Sequence, residues 1–291
     1  MSEKLFYPIG PSGKEEAKNA GPTQLEINNG AASVSVSPEI GGMVTQFSVS
    51  GKDILYFDLD TFRSEKKPKV GVPVLLPFGG SDREKIVRQH GGLREVPWVW
   101  ETRDKHSITL SLDTANIKDE KLLSELREKF GANLNFTYEV KISVGETSLA
   151  YDIKIKNNGS TDMPVTPGLH PYFKVDPEKQ DEMKSNLQGF DLSERTWAPD
   201  EYALITSRPP GEDVWFTIPG TGKVIVKCAE EFDTFVVWSK QKENGEKEDY
   251  LCVEPWVGKP STIDNKEKRI TVAPGKEITL SVIFDIEPET G

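Results

Sequence analysis

Short segments in which apolar and polar residues alternate recur along most of this chain, and turn-forming residues separate them. Examples are Ala32–Ser37 (ASVSVS) and residues 107–112, 135–142 and 149–156. A period of two residues places every second side chain on one face, which is typical of a half-buried β-strand. Many short strands with regular turn signals favour a β-sandwich or a β-barrel.

Helical periodicity is convincing only at residues 121–128, so we expect few and short helices. Residues 1–23 are rich in Gly, Pro, Lys, Glu and Asn and show no period, which predicts an irregular N-terminal arm. No linker rich in Pro and Ser and no internal repeat divides the remainder. We therefore expect one mainly β domain over residues 24–291, which is long enough to bury a sizeable core.

The composition argues against several classes of partner. The formal net charge is −11, which disfavours binding to nucleic acid or to an anionic membrane, although a small anionic substrate remains compatible with it. The two cysteines, Cys228 and Cys252, are too few for a disulfide framework and fit a reducing compartment. No apolar run approaches the roughly 20 residues of a membrane span, and the N-terminus lacks the apolar core of a secretory signal. These features predict a cytoplasmic protein.

Two of the three histidines lie among residues that break regular structure. His106 follows Arg-Asp-Lys and is predicted to be a surface residue, whereas His90 lies in RQHGGLRE and His170 in TPGLHPYF. Gly and Pro fix unusual backbone paths and allow close approach of a ligand. Each of these two histidines is therefore either a turn residue with satisfied hydrogen bonds or a group placed for proton transfer near neutral pH.

Among the carboxylates, Glu254 is the main candidate for a functional role, because it ends an apolar run in YLCVEPW. A carboxylate beside Pro and an aromatic residue is expected to face a cleft, where desolvation would raise its pKa and make it a competent base. The alternative is a strand-end glutamate in an ion pair. A third segment, PVLLPFGGSDR at residues 73–83, ends in a Gly-Gly turn but lacks the spacing of a P-loop.

Taken in order, these segments resemble the aldose 1-epimerase family, and within it the branch related to hexose-6-phosphate mutarotases. The matching segments are GVPVLLP at 71–77, QHGGLRE at 89–95 with the Pro-Trp that follows, GLHPYF at 168–173, CVEPW at 252–256 and VAPGK at 272–276. The resemblance spans about residues 30–287. It implies a large antiparallel β-sandwich of the galactose-mutarotase-like group, with few short helices.

The resemblance also implies catalytic roles. Glu254 would remove the proton from the anomeric hydroxyl, and His170 would protonate the ring oxygen. His90 would hydrogen-bond the sugar, while Tyr172 and Trp256 would offer apolar faces to the pyranose. Such paired proton transfer requires an acid and a base and no redox step.

Further residues are assigned to substrate binding by the same resemblance. Gln89 belongs to the first histidine motif, and Asp233 matches a substrate-facing aspartate of some relatives, with a turn aspartate as the alternative. Two positions depart from the family pattern, since Ser81 stands where many relatives carry Arg and Gly92 stands where an aromatic residue is usual. Either departure bears on which sugar fits.

A local excess of positive charge favours a phosphorylated hexose. Arg83, Arg88 and Arg94 lie close together in sequence, and guanidinium groups bind phosphate in bidentate fashion. The rival interpretation is that they neutralise the neighbouring carboxylates of a solvated loop, at Asp82, Glu84 and Glu95.

The function predicted is an aldose 1-epimerase acting on a small-molecule hexose or hexose 6-phosphate, as a monomer or homodimer. No cofactor is expected, because the histidines and cysteines show no metal-ligand motif. The alternatives are a non-catalytic sugar-binding or regulatory protein on the same fold, and a lyase or glycosidase of the same sandwich type. A glycosidase needs two carboxylates facing one bond, and only Glu254 is placed by a motif.

Overall fold

The structure is a computed structural model that describes residues 23–64, 67–199 and 201–289. Residues 1–22 of the predicted N-terminal arm lie outside these ranges. The single-domain organisation expected for residues 24–291 therefore stays a prediction.

The described residues form 19 β-strands that pair into antiparallel sheets. In chain order they are β1 (Leu25–Asn28), β2 (Ala32–Ser37), β3 (Met43–Val49), β4 (Lys52–Asp53), β5 (Val74–Leu75), β6 (Val99–Arg103), β7 (Ser107–Asp113), β8 (Phe136–Val144), β9 (Ser148–Asn157), β10 (Met163–Val165), β11 (Gly168–Leu169), β12 (Tyr172–Lys174), β13 (Leu204–Ser207), β14 (Val214–Ile218), β15 (Gly222–Cys228), β16 (Thr234–Trp238), β17 (Tyr250–Trp256), β18 (Ile270–Val272) and β19 (Glu277–Pro288).

A seven-stranded sheet, in the order β14-β15-β19-β9-β8-β7-β6, forms one side of the molecule. Its central strands β8 and β9 pair from Phe136 opposite Asn157 to Val144 opposite Leu149. Along both strands every second residue is buried, because one face packs on the hydrophobic core. The period-two patterns at residues 135–142 and 149–156 therefore predicted these strands correctly.

A second sheet, in the order β13-β16-β17-β11-β5 with β12 also paired to β17, carries the residues of greatest chemical interest. Strand β17 is buried at all seven positions, so neither of its faces is free. Leu251 and Val253 belong to the main hydrophobic core. The alternate residues Cys252 and Trp256 belong to separate small clusters on the other face, and Glu254 lies between them in this alternation.

The two sheets pack face to face through aromatic residues. The ring of Phe173 on β12 lies 4.9 Å from that of Phe216 on β14 and 5.7 Å from that of Phe284 on β19. These contacts join the second sheet to the seven-stranded sheet around a common core. This confirms the antiparallel β-sandwich that the resemblance implied, one of the two architectures that the strand pattern favoured. Smaller sheets contain β1-β2-β3-β4 and β10-β18.

Helices are short, as expected. The α-helices are α1 (Leu59–Ser64) and α2 (Glu120–Phe130), and 3-10 turns occupy Gln89–Gly91, Leu93–Glu95, Thr114–Asn116, Pro177–Glu182 and Thr262–Asp264. Helix α2 extends the predicted segment 121–128 because Asp119 caps its N-terminus, accepting a hydrogen bond from the backbone N–H of Leu122. In the described ranges, no helix is both long enough and apolar enough to cross a membrane.

Candidate active site

The candidate site is built on the face of β17 that points away from the core. Glu254 is only 2% exposed, and its Oε2 atom lies 3.5 Å from Nε2 of His170. His170 occupies the turn between β11 and β12, and its backbone N–H donates to the carbonyl of Pro73. The structure thus brings together the two residues that the sequence predicted as a catalytic pair. The alternative of a strand-end ion pair would require a protonated His170, since the neighbour of the carboxyl group is this imidazole.

Trp256 contacts the same carboxylate oxygen of Glu254 as His170 does. Its indole N–H donates to Glu254 Oε2 over 3.1 Å. The indole fits because two neighbouring positions have no side chain: a Cβ on Gly168 would lie 2.7 Å from Trp256 Cδ1, and one on Gly79 would lie 2.9 Å from Cδ2. The glycines of two separate sequence motifs therefore position one hydrogen-bond donor against the carboxyl group.

His90 is held by its backbone as well as by its ring. It adopts a left-handed conformation with φ 61°, and Gly91 follows with φ 71°. The backbone N–H of His90 donates to the carbonyl of Gly80, and Nδ1 of His90 accepts from the Gly80 N–H at 3.0 Å. Because Nδ1 is an acceptor, a neutral His90 carries its proton on Nε2 and has that N–H as a donor for a ligand.

Aromatic rings surround His170. It stacks on Tyr172 with ring centroids 4.7 Å apart and an interplanar angle of 8°. His90 and Trp238 meet it edge-on at 5.6 Å and 6.0 Å. The ring is therefore fixed in orientation, and Nδ1 of His170 is buried without a hydrogen-bond partner among the described residues.

The low polarity of the site shifts the pKa values of its acid and base in opposite directions. Burial raises the pKa of Glu254 well above its usual value, although the Trp256 N–H and the charge of Arg94 oppose this effect. Burial, reinforced by Arg94, lowers the pKa of His170 to about 3. Burial and the same arginine also hold the pKa of His90 well below its usual value. All three groups are consequently biased towards their neutral forms when the site holds no ligand.

Arg94 lies close enough to these three groups for its charge to shift the pKa of each of them. Its own pKa is lowered by burial, and the charges of Tyr172, Glu95 and Glu254 oppose that change. The Nε atom of Arg94 is buried and lacks a hydrogen-bond partner in the described part of the chain. An unsatisfied guanidinium donor at a buried site is a group available to a polar ligand.

Three other predicted residues lie apart from the pair. Arg83 and Asp233 line a neighbouring cavity of about 360 Å³, and Gln89 is exposed. The carboxylate of Asp233 accepts hydrogen bonds from the Thr234 hydroxyl and from the N–H of Gly258. These are the bonds expected of the turn aspartate that was the alternative interpretation.

Arg88, one of the three arginines considered for phosphate, is engaged elsewhere. Its guanidinium forms ion pairs with Glu95, Asp119 and Glu125, two of which belong to or cap helix α2. For Arg88 the structure supports the rival interpretation, because its charge is neutralised by carboxylates.

Sequence reasoning missed two residues of the site, Trp238 and Cys252. Trp238 lies opposite Cys252 on the paired strands β16 and β17, and Cys252 in turn lies opposite Tyr172 on β12. The signal that was available is the two-residue period of a β-strand, which places Val236 and Trp238 on the same face. The ligand atoms of His170, Cys252 and Glu254 all lie within 4.8 Å of one another, so among the described residues these three side chains form a group that could hold a metal ion.

Comparison with solved structures identifies the class of fold to which this chain belongs. Solved structures similar to the chain include a protein from Synechocystis sp. PCC 6803, with 24% identity, a TM-score of 0.78 and coverage of 98% of this chain and 100% of that one. A galactose mutarotase related enzyme from Lactobacillus acidophilus gives 17% identity, a TM-score of 0.73 and coverage of 92% and 98%. A galactose 1-epimerase from the same species gives 12% identity, a TM-score of 0.67 and coverage of 92% and 95%. The fold is therefore the galactose mutarotase-like β-sandwich.

The sequence itself gives the family. The model of the aldose 1-epimerase family matches residues 23–285, so the chain belongs to the aldose 1-epimerase family. No curated protein matches the chain in a sequence search.

Proposed function

We propose that the chain interconverts the α and β anomers of a hexose or hexose 6-phosphate. The observation that carries the proposal is the buried pair of His170 and Glu254, whose Nε2 and Oε2 atoms are 3.5 Å apart. An acid and a base this close together meet the requirement of a reaction in which one proton leaves the sugar and another is added to it. Membership of the aldose 1-epimerase family supports the same conclusion.

The proposed reaction balances without a redox step. Glu254 takes the proton of the anomeric hydroxyl, the C1–O5 bond breaks as C1=O forms, and His170 gives its proton to O5. Rotation about the C1–C2 bond presents the other face of the aldehyde. Reclosure then returns one proton from Glu254 to the carbonyl oxygen and one from the C5 hydroxyl to His170.

This scheme requires Glu254 to be a carboxylate and His170 to be a protonated imidazolium when the sugar is bound, so that the pair holds one titratable proton. Burial alone favours the arrangement in which both groups are neutral, as the opposite shifts of their pKa values show. The Trp256 N–H stabilises the Glu254 carboxylate, and sugar hydroxyl groups supply further hydrogen bonds to an ionised pair. The bound substrate therefore favours the catalytically useful arrangement of the proton.

Neighbouring groups bind and orient the sugar in this proposal. His90 donates from Nε2, and Arg94 supplies a cationic donor beside the pair. Trp256, Tyr172 and the half-buried Trp238 provide the apolar faces against which a pyranose packs. A purely sugar-binding protein is the second candidate, but it has no need of a desolvated acid–base pair, so we favour catalysis.

A phosphate preference is proposed on the neighbouring cavity rather than on Arg94. Three cationic side chains line that cavity, Arg83, Lys259 and Lys268, and its carboxylate Asp233 is already hydrogen-bonded. Cationic donors around a cavity of about 360 Å³ suit an anionic substituent. Arg94 instead acts on both members of the catalytic pair, so its loss is expected to lower the turnover of any sugar.

The cavity adjoins the catalytic residues through Gly80 and Trp256. A Cβ on Gly80 would lie 3.2 Å from Trp256 Cζ3 and 3.3 Å from Cα of Pro260, a cavity-lining residue. Gly80 also exchanges two hydrogen bonds with His90. One backbone segment thus contacts the cavity and the sugar-binding groups together.

Polarimetry on freshly dissolved α-glucose and α-glucose 6-phosphate, with EDTA-treated protein, tests the proposal. We expect faster loss of rotation than in buffer alone, and a higher kcat/KM for the phosphorylated sugar. The double variant Lys259→Ala/Lys268→Ala should lower kcat/KM for glucose 6-phosphate by about tenfold or more, corresponding to ~1.4 kcal/mol, and leave glucose unchanged. Lys266→Ala is the control, because Lys266 is exposed and does not line the cavity. Equal kcat/KM for both sugars in the unmodified protein would contradict the phosphate preference but not the proposed epimerase activity.

A further inference from the structure

Cys252 stands beside the catalytic pair with no role in the proposed proton transfers. It precedes Glu254 by two residues on β17 and so shares its face of the strand. Its side chain is fully buried, and burial together with the charge of Glu254 raises the pKa of its thiol. Cys252 is therefore a neutral thiol adjoining an imidazole and a carboxyl group.

The three side chains have the spacing of a metal site that needs little adjustment. Tetrahedral zinc with ordinary bond lengths places its nitrogen and oxygen ligands about 3.4 Å apart, and sulfur about 3.6 Å from either. His170 Nε2 and Glu254 Oε2 are 3.5 Å apart, and the Cys252 Sγ lies within 4.8 Å of both partners. A movement of the thiol by about 1 Å completes the geometry. Three protein ligands leave a fourth position for water or a ligand hydroxyl.

The charges also suit a divalent cation. Binding of a cation displaces the protons of the Cys252 thiol and of the Glu254 carboxyl group, and the resulting thiolate and carboxylate carry two negative charges, while the Nε2 lone pair of His170 completes the ligand set. Arg94 repels a cation at this point, since its charge is felt by both His170 and Glu254. The two anionic ligands offset this repulsion, and the sulfur favours a thiophilic ion over magnesium or calcium.

We propose that His170, Cys252 and Glu254 bind a thiophilic divalent cation such as Zn²⁺, and that the bound ion reversibly inhibits the epimerase. The inhibition rests on the function proposed above, because the metal would occupy the lone pairs that move protons. The cation here is an inhibitor and not a cofactor. Activity in the presence of EDTA is thus expected to equal or exceed activity in untreated buffer.

The test separates metal binding from catalysis. Co²⁺ is titrated into the purified chain while thiolate-to-cobalt absorption is recorded, Zn²⁺ binding is measured by equilibrium dialysis, and mutarotation is followed by polarimetry. Cys252→Ser is the test variant. Cys228→Ser is the matched control, because Cys228 is the other cysteine of the chain and is only partly buried. Cys228→Ser is expected to keep the metal-free rate of mutarotation, and zinc inhibition of each variant is measured relative to its own metal-free rate.

We expect one Co²⁺ per chain with thiolate absorption and zinc inhibition in the unmodified protein and in Cys228→Ser. Loss of an outer-shell partner already costs about 10–100-fold in metal affinity, so loss of the direct thiolate ligand in Cys252→Ser should cost at least on the order of 100-fold. Absence of thiolate absorption in the unmodified protein, or its persistence in Cys252→Ser, would overturn the metal site. Thiolate absorption that depends on Cys252 in a protein without mutarotase activity would support the site and refute the proposed function.

Discussion

The Nε2 atom of His170 lies 3.5 Å from Oε2 of Glu254, and the two side chains are 8% and 2% exposed. Desolvation acts on them in opposite directions, raising the pKa of the carboxyl group and lowering that of the imidazole. Groups so close titrate as a pair, with apparent pKa values that belong to the pair as a whole. The form with one shared proton therefore persists over a wider pH range than two isolated groups would allow.

This relationship predicts the acid limb of the pH profile. Activity needs one proton in the pair, and uptake of a second is opposed because the pKa of His170 is lowered to about 3. We expect kcat/KM to show no half-loss at pH 4.5, the ordinary pKa of a glutamate. Polarimetric rates corrected for buffer catalysis, at pH values where circular dichroism shows folded protein, check this. A half-loss near pH 4.5 would show that Glu254 titrates normally.

Removing either member of the pair should abolish most of the catalysis. Glu254→Gln and His170→Asn each leave a group of similar shape that cannot transfer the proton, so we expect mutarotation to fall by on the order of 100-fold or more. His106→Asn is the control, because His106 is exposed and lies in the turn between β6 and β7 of the seven-stranded sheet. Wild-type rates in either site variant, with an intact circular dichroism spectrum, would contradict the assigned roles.

The same glutamate is predicted to destabilise the folded chain at neutral pH. Its folded-state pKa lies above the unfolded value of 4.5, so its contribution to stability is fully present below pH 4.5 and is lost as pH rises through the folded pKa. Glu254→Gln has no titratable carboxyl group at this position, so its stability does not fall in this way as the pH rises. We expect its Tm to exceed that of the unmodified protein at pH 7–8, and the difference to shrink towards pH 4.5.

Calorimetry across this pH range measures the difference. Glu243→Gln, which changes an exposed glutamate, should show no pH-dependent gain. A difference in Tm between Glu254→Gln and the unmodified protein that is the same at every pH would show that burial does not raise the pKa of the Glu254 carboxyl group.

Gly168 is predicted to be indispensable for the position of the indole. A Cβ there would lie 2.7 Å from Trp256 Cδ1, so Gly168→Ala must displace the ring that donates to Glu254. We expect a loss of about 1–3 kcal/mol in the free energy of unfolding together with lower activity. The double variant Gly168→Ala/Trp256→Phe should regain stability but not activity, since phenylalanine lacks the N–H. Unchanged denaturant midpoints for Gly168→Ala would contradict the packing argument.

The strands were predictable because burial of one sheet face imposes a local period of two, as in β8 and β9. His170 and Glu254 were predictable because each stands in a motif of rigid or aromatic neighbours. Cys252 was not singled out, although it stands two residues before Glu254, since its approach to His170 depends on the pairing of β12 with β17, which no local pattern shows. For Arg88 the sequence could not decide between a phosphate ligand and a neutralised charge, because two of its partners, the helix cap Asp119 and Glu125 of α2, lie more than 30 residues along the chain.

Exchange between the anomers of glucose at equilibrium tests the central claim most directly. Saturation of the H1 resonance of β-glucose should diminish that of α-glucose in proportion to the concentration of unmodified protein, with EDTA present. Glu254→Gln at the same concentration should leave the resonance at its buffer value. Transfer no faster than in buffer for the folded, unmodified protein, with both glucose and glucose 6-phosphate, would contradict the account.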